Sequence, residues 1–220
     1  MTERTVDIVR FHFDPLCPWC YQTSRWALTL ERAGAVRLTW GVFSLERNNF
    51  PAEKGTFDPA RARAFPALRV AVALRDRVGQ DACGAFYEAI GERYFQREQE
   101  LSDPAVLTAA LSDAGLDPAW LERATGDAAT LDTVMAEHEE VVEATKAFGV
   151  PFLRLDDGAG PSIFGPVISN PPEDPAEAVE LWTHVAWLMR NEQFNELKRG
   201  ERAHQPDLPY WRTFLANWKR

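Results

Sequence analysis

Residues 11–21 read FHFDPLCPWCY. An apolar run ends here in two cysteines, Cys17 and Cys20, spaced Cys-x-x-Cys. Pro18 suits the first position of a helix, where a missing N–H costs nothing. A thiol at a helix N-terminus faces unpaired backbone N–H groups and the positive end of the helix dipole. Both favour the thiolate. Cys17, the more exposed of the pair on this reading, is the nucleophile. Cys20, one turn later, lies beneath it and can attack a mixed disulfide to close the ring. The stretch reads as a thiol redox centre.

Two blander readings fit less well. A structural zinc site needs four ligands. The only other cysteine is Cys83, and His12, His138, His184 and His204 show no paired spacing. An inert structural disulfide is disfavoured because Cys-x-x-Cys closes too small a loop to constrain the chain much.

The flanking sequence supplies the context. Residues 6–13 form a strand-like run bounded by Asp14-Pro15, with Val9, Phe11 and Phe13 on one face and Val6, Ile8 and His12 on the other. Apolar residues on both faces predict a central, twice-covered strand. His12 is a proton donor near the cysteines or, in the favoured reading, a half-buried strand residue. Residues 18–33 repeat apolar positions at helical spacing, and Gly34 suits the C′ position. Val36, Leu38, Trp40 and Val42 then alternate as a second strand over 36–43. Strand, helix and strand predict a right-handed βαβ unit. A Cys-x-x-Cys at its first turn is a thioredoxin-like signature.

Composition sets the class. The chain has 220 residues, 45% hydrophobic and 26% charged, enough for one good core and an additional subdomain. A net charge of −9 argues against nucleic acid as a partner. The N-terminus shows no secretory h-region and no apolar run approaches about 18 residues, so the expectation is a cytoplasmic protein with no membrane span. Three cysteines in such a compartment point to catalysis rather than stapling.

Residues 44–57 lack periodicity and read as a loop leaving the strand end where α/β sheets bind ligands. Asn48, Asn49, Phe50 and Phe57 on it can face the cysteines. Residues 58–148 read as helical. Asp58-Pro59, Asp103-Pro104 and Asp117-Pro118 each pair an N-cap with proline at N1, as does Asp174-Pro175 later. Pro66 is expected to interrupt or kink the first of these helices. A helix is expected over 83–95. A long stripe from Leu131 through His138 to Phe148 ends at Gly149. His138 and Cys83 read as packing residues. Val150-Pro151 opens a hairpin of strands 152–155 and 162–164, closed by Gly165-Pro166. Helix 175–190 follows, then a short helix over 194–198. The aromatic tail 206–220 should pack on the body or on a second subunit, which leaves a homodimer open.

The order βαβ, helical block, proline-led hairpin and helix resembles the DsbA-like branch of the thioredoxin superfamily. The fold class expected is therefore α/β, a thioredoxin fold with an inserted all-helical domain. Residues 1–57 and 149–200 would form the thioredoxin-like domain, 58–148 the insert, its last helix shared, and 201–220 a tail. Several blocks are similar to the mycothiol-dependent reductase and nitroreductase family. They are FDPLCPWC at 13–20, TSRW at 23–26, Ser44-Leu45, FGPVIS at 164–169, Leu181-Trp182 and ELKR at 196–199. The resemblance implies Cys17 as attacking and Cys20 as resolving cysteine, flanked by Pro18 and Trp19. It implies a cis-proline at Pro151, with the Val150 backbone free to pair with an extended thiol substrate. Asn48, Asn49 and Phe57 would line the pocket. Phe152 departs from relatives, which often carry a small hydroxyl residue there.

Expected, then, is a thiol–disulfide oxidoreductase working mainly as a reductase on a small-molecule or protein disulfide. It would hold no tight cofactor or metal and use mycothiol or another low-molecular-weight thiol as co-substrate. Trp19, Phe50 and Phe57 would wall an apolar cleft. Its rivals are an enzyme of glutathione-transferase-kappa or 2-hydroxychromene-2-carboxylate isomerase type on the same fold, where serine is usual in place of the cysteines, and a non-enzymatic chaperone-like or metal-binding module.

Overall fold

A computed structural model describes residues 6–200 and 204–218. The strands are β1 (Asp7–Phe13), β2 (Val36–Val42), β3 (Phe152–Leu155) and β4 (Ser162–Phe164). The helices are α1 (Pro18–Arg32), α2 (Leu45–Asn48), α3 (Phe65–Arg77), α4 (Gln80–Gly91), α5 (Pro104–Asp113), α6 (Trp120–Gly126), α7 (Ala128–Thr145), α8 (Pro175–Arg190) and α9 (Pro209–Trp218). The sheet order is β2-β1-β3-β4. β1 and β2 run parallel, joined by α1, while β3 is antiparallel to both β1 and β4. This is the DsbA-like thioredoxin fold, and β1 is central as its two apolar faces require.

One face of β1 presents Val9, Phe11 and Phe13, all buried. Phe13 stacks on Tyr87 of α4 at 3.9 Å and meets Trp40 of β2 edge-on. α8 lies beside α1, where Trp26 packs on Trp182 and donates its indole N–H to the Ala178 carbonyl at 3.0 Å. The opposite face carries His12 beneath α7, with Glu137 at 3.9 Å.

β2 is an edge strand, and an uncovered edge invites pairing with other chains. Its outward N–H groups are taken by side chains instead. Leu38 N donates to Glu31, Trp40 N to Gln80, Val42 N to Glu137, and Ser44 N to His138 Nδ1. The last three acceptors lie on α4 and α7, so the helices between β2 and β3 are anchored along this edge. That anchoring fixes α4 and α7 beside the cysteine end of the sheet.

Several local expectations change. In all four Asp-Pro pairs the aspartate accepts the N–H two residues on, and Asp103 and Asp174 cap α5 and α8, while Asp117 bonds in the turn before α6, whose N-cap is Ala119. Asp58 opens only a 3-10 turn (Pro59–Arg61), however, and Pro66 sits in the first turn of α3, where it kinks nothing. The loop after β2 contains α2, because the Ser44 hydroxyl caps Arg47 N at 3.1 Å. The helix expected over 83–95 starts earlier, at Gln80, and ends in a π-turn (Glu92–Gln96). α7 stops at Thr145, with Lys146 left-handed at φ 56°, so Phe148 leaves the stripe and is exposed. Residues 194–198 are not helical; the Asn191 side chain instead accepts from Gln193 N in a turn. The tail packs on its own chain. Leu208 is fully buried, and Tyr210 lies against Tyr94 and Phe95.

Candidate active site

β1 ends at Phe13 and α1 begins at Pro18, and the turn between them holds the first cysteine. Cys17 is the N-cap of α1, with extended backbone at φ −90° and ψ 109°. Its sulfur accepts from Cys20 N at 3.3 Å, as a serine cap would. Its thiol donates to the Val150 carbonyl at 3.4 Å. Both cysteines are free thiols, Cys17 nearly buried and Cys20 fully so.

The partner segment precedes β3. The Val150-Pro151 bond is cis, as the sequence resemblance implies, and both residues are buried. The Gly165-Pro166 bond is also cis, and Gly165 N donates to the Pro151 carbonyl at 2.8 Å. Asn48, at the end of α2, donates from Nδ2 to the Phe148 carbonyl at 3.1 Å and to Asn49 Oδ1 at 3.2 Å. The structure thus gathers Cys17, Cys20, Pro18, Val150 and Pro151, and ties Asn48 to the segment that carries Val150 and Pro151.

Asp14 is the residue the sequence reading passed over as a strand boundary. It is fully buried, and Oδ1 accepts from Leu16 N and Oδ2 from Leu45 N, each at 2.7 Å. One carboxyl therefore joins the cysteine turn to the start of α2. Burial pushes it up to about 7, against the pull of the two N–H groups. Burial also pushes the Cys20 thiol well up, and Cys17 and Asp14 beside it add to that. A carboxyl that exchanges its proton near neutrality has the proton affinity that a general base needs.

Trp19 is half-buried and meets Trp211 of α9 edge-on, ring centroids 5.6 Å apart. Phe57 packs between Phe50 and Phe65, at 5.5 Å from each. One aromatic neighbour of Trp19 thus comes from the tail, and the tail's dense aromatics were the sequence signal for it. A groove of about 580 Å³ opens next to Tyr21, lined by Arg25, Glu88, Glu92, Gln96 and Arg97, but neither cysteine lines it. Cys83 is a buried packing residue whose thiol burial raises to about 12, while His138 is buried against Phe43 and accepts from Ser44 N. His12 is fully buried rather than half-buried, and burial lowers it to about 3. Such a ring is a poor proton donor near neutrality. Among the described residues, no group of three His, Cys, Asp or Glu side chains is placed to hold a metal.

The family description "Rv2466c-like: Mycothiol-dependent nitroreductase Rv2466c" matches residues 16–199. The chain belongs to the Rv2466c-like family. Membership makes it an oxidoreductase, since the matched span contains Cys17, Cys20 and Pro151. The protein Rv2286c of Mycobacterium tuberculosis is 37% identical over 201 residues, covering 91% of this chain and 85% of that one. A probable DsbA oxidoreductase, SCO1869 of Streptomyces coelicolor, superposes with TM-score 0.57 at 22% identity, covering 92% of this chain and 97% of that one. A 2-hydroxychromene-2-carboxylate isomerase superposes with TM-score 0.58 at 14% identity, covering 83% and 96%. The same fold thus serves oxidoreductases and isomerases, and it is the Rv2466c-like family match that speaks for oxidoreductase chemistry. No helix is long and apolar enough to cross a membrane among the described residues.

Proposed function

We propose that this protein is a cytoplasmic thiol–disulfide oxidoreductase acting mainly as a reductase through Cys17 and Cys20. The observation that carries the reading is the reduced pair at the N-terminus of α1, its outer sulfur against the Val150 carbonyl beside Pro151. The Cys17 thiolate attacks one sulfur of a substrate disulfide. A mixed disulfide forms, and the other half leaves as a thiolate. Cys20 then passes its proton to Asp14 and attacks Cys17 Sγ. The Cys17–Cys20 disulfide forms and the second thiolate leaves. Two electrons have passed from the dithiol to the substrate. Two molecules of mycothiol, or of another low-molecular-weight thiol, return them and leave as their own disulfide.

In this proposal Pro18, Trp19, Val150, Pro151, Asn48, Asn49 and Phe57 form the substrate-binding set. Segments 1–57 and 149–200 carry the chemistry, and the helical insert 58–148 closes over the β2 edge. The family description, with its mycothiol dependence, supports the choice of thiol. Reduction of insulin disulfides, with mycothiol, glutathione and thioredoxin compared as electron donors, tests the proposal. Turnover with mycothiol that disappears in Cys17→Ser is expected. No turnover with any donor would overturn it.

A further inference from the structure

Phe148 and Phe164 are the exposed phenylalanines among the described residues, at 69% and 36%. They touch each other, ring centroids 4.6 Å apart. Single apolar side chains scattered on a surface need no explanation, but two large rings held together in water do. The backbone sets both beside the cysteines. α7 ends where Lys146 turns left-handed, and the chain runs on through Phe148 and Gly149 to Val150, whose carbonyl lies 3.4 Å from Cys17 Sγ. Asn48 holds the Phe148 carbonyl at 3.1 Å. Phe164 meets the same segment from β4. It pairs with Phe152 across the hairpin, Gly165 N donates to the Pro151 carbonyl at 2.8 Å, and a Cβ on Gly149 would lie 3.6 Å from the Phe164 ring.

Two residues of extended chain span at most about 7 Å, so the Phe148 backbone lies no farther than that from Val150. A substrate chain paired with Val150, its cysteine sulfur at Cys17, carries its next-but-one residue over the same distance. The pair is open rather than enclosed. A small molecule gains affinity from a concave site that buries most of its surface. Two exposed rings cover one side of a ligand only, which suits a side chain that main-chain pairing already holds in place.

We propose that Phe148 and Phe164 form a specificity surface for peptide and protein disulfides, taking an aromatic or large aliphatic side chain that lies within two residues of the substrate cysteine. This rests on the reading of Cys17 as the attacking thiol and of Val150 as part of the substrate-binding set.

The test uses the reduced full-length protein and short peptides, each with one cysteine blocked as a mixed disulfide with thionitrobenzoate. The Cys17 thiolate attacks the peptide sulfur, a Cys17–peptide disulfide forms, and thionitrobenzoate, the better leaving group, departs as a coloured thiolate. Phenylalanine, leucine, alanine or aspartate stands one or two places to either side of the cysteine. Phenylalanine and leucine should exceed alanine about three- to tenfold at one or more of these positions, the scale of one aromatic contact. Aspartate should not exceed alanine. In a Phe148→Ala, Phe164→Ala protein the preference should drop below about twofold. The phenylalanine-to-alanine ratio is taken within each protein, so changes in folding or in Cys17 reactivity cancel. Equal rates for all peptides with the wild type, or an undiminished ratio in the double variant, overturn the inference. So does the symmetric disulfide of thionitrobenzoate losing as much against the alanine peptide as the phenylalanine peptide loses, since the pair would then serve any aromatic ring. No coloured thiolate from any of these disulfides overturns the oxidoreductase reading, and the inference with it.

Discussion

The Cys17 thiol points at the carbonyl oxygen of Val150, 3.4 Å away, while Cys20 N–H points back at the same sulfur from 3.3 Å. The two contacts favour opposite states. A carbonyl accepts from a thiol and repels a thiolate, whereas an N–H at a helix N-terminus favours the thiolate. Ionisation of Cys17 should therefore break the first contact and strengthen the second. In a Cys20→Ser, Cys83→Ser protein, the infrared S–H band should be shifted to lower frequency than in a free thiol. It should fade in step with the rise in Cys17 alkylation rate as pH increases. A band at the free-thiol position would count against this arrangement.

Asp14 should make stability fall with pH. Its ordinary value is 3.8, and burial raises it to about 7 in the fold. The folded protein thus keeps a proton that the unfolded chain gives up. The stabilisation is fully present below about pH 4 and is lost as pH rises through about 7, a span worth on the order of 4 kcal/mol. Asp14→Asn should remove that slope from urea-unfolding free energies measured between about pH 4 and pH 8. At about pH 4 it should also lie below the wild type by about 1–3 kcal/mol, because an amide NH₂ cannot replace the second accepting oxygen, and the two curves should cross as pH rises. Identical slopes in the two proteins would refute the assignment.

His12 acts with the opposite sign. Burial lowers it from 6.5 to about 3, with Arg154, Arg10 and Arg75 opposing its charge. Only the unfolded chain takes up its proton, so stability present above about pH 6.5 is lost as pH falls toward 3, by about 3 kcal/mol between pH 7 and pH 4. His12→Phe should weaken this acid sensitivity. The packing around the ring is checked separately, since a Cβ on Gly41 would lie 2.4 Å from His12 Nδ1 and 2.9 Å from Glu137 Oε1. Gly41→Ala should cost about 1–3 kcal/mol, and less when His12 is also alanine. Additive costs in the double variant would show that the ring is not what the methyl group meets.

Trp19 and Trp211 should act together. Their edge-to-face contact joins the Cys-x-x-Cys turn to α9. Trp19→Ala should raise KM for a small aromatic disulfide about three- to tenfold, the scale of one aromatic pair. Alkylation of Cys17 by iodoacetamide in a Cys20→Ser background should hold its rate if, as proposed, the ring binds substrate and does not stabilise the thiolate. Trp211→Ala should reproduce a large part of the KM change. Unaltered steady-state kinetics in both variants would remove the tail from the substrate surface.

The redox motif, the βαβ unit, the hairpin and the family resemblance were legible in the linear sequence. Each is a local pattern whose cause lies within a few residues: a period of two in a strand, a proline at a helix start, two cysteines one turn apart. The helical character of 58–148 was legible for the same reason, although its boundaries moved where Asp58 opened only a 3-10 turn and Pro66 settled in the first turn of α3. What lines the cysteines from below and from the side was decided by tertiary structure. Asp14 looks like a turn residue until Leu16 N and Leu45 N, 29 positions apart, both donate to it in the same buried pocket. Tyr87 stacks on Phe13 because the Gln80 side chain, bonded to Trp40 N, anchors α4 at the β2 edge. Trp211 lies nearly two hundred residues from the motif it touches. The shift in a buried group comes from the water it has lost and the charges that then surround it, and both depend on segments distant in the chain.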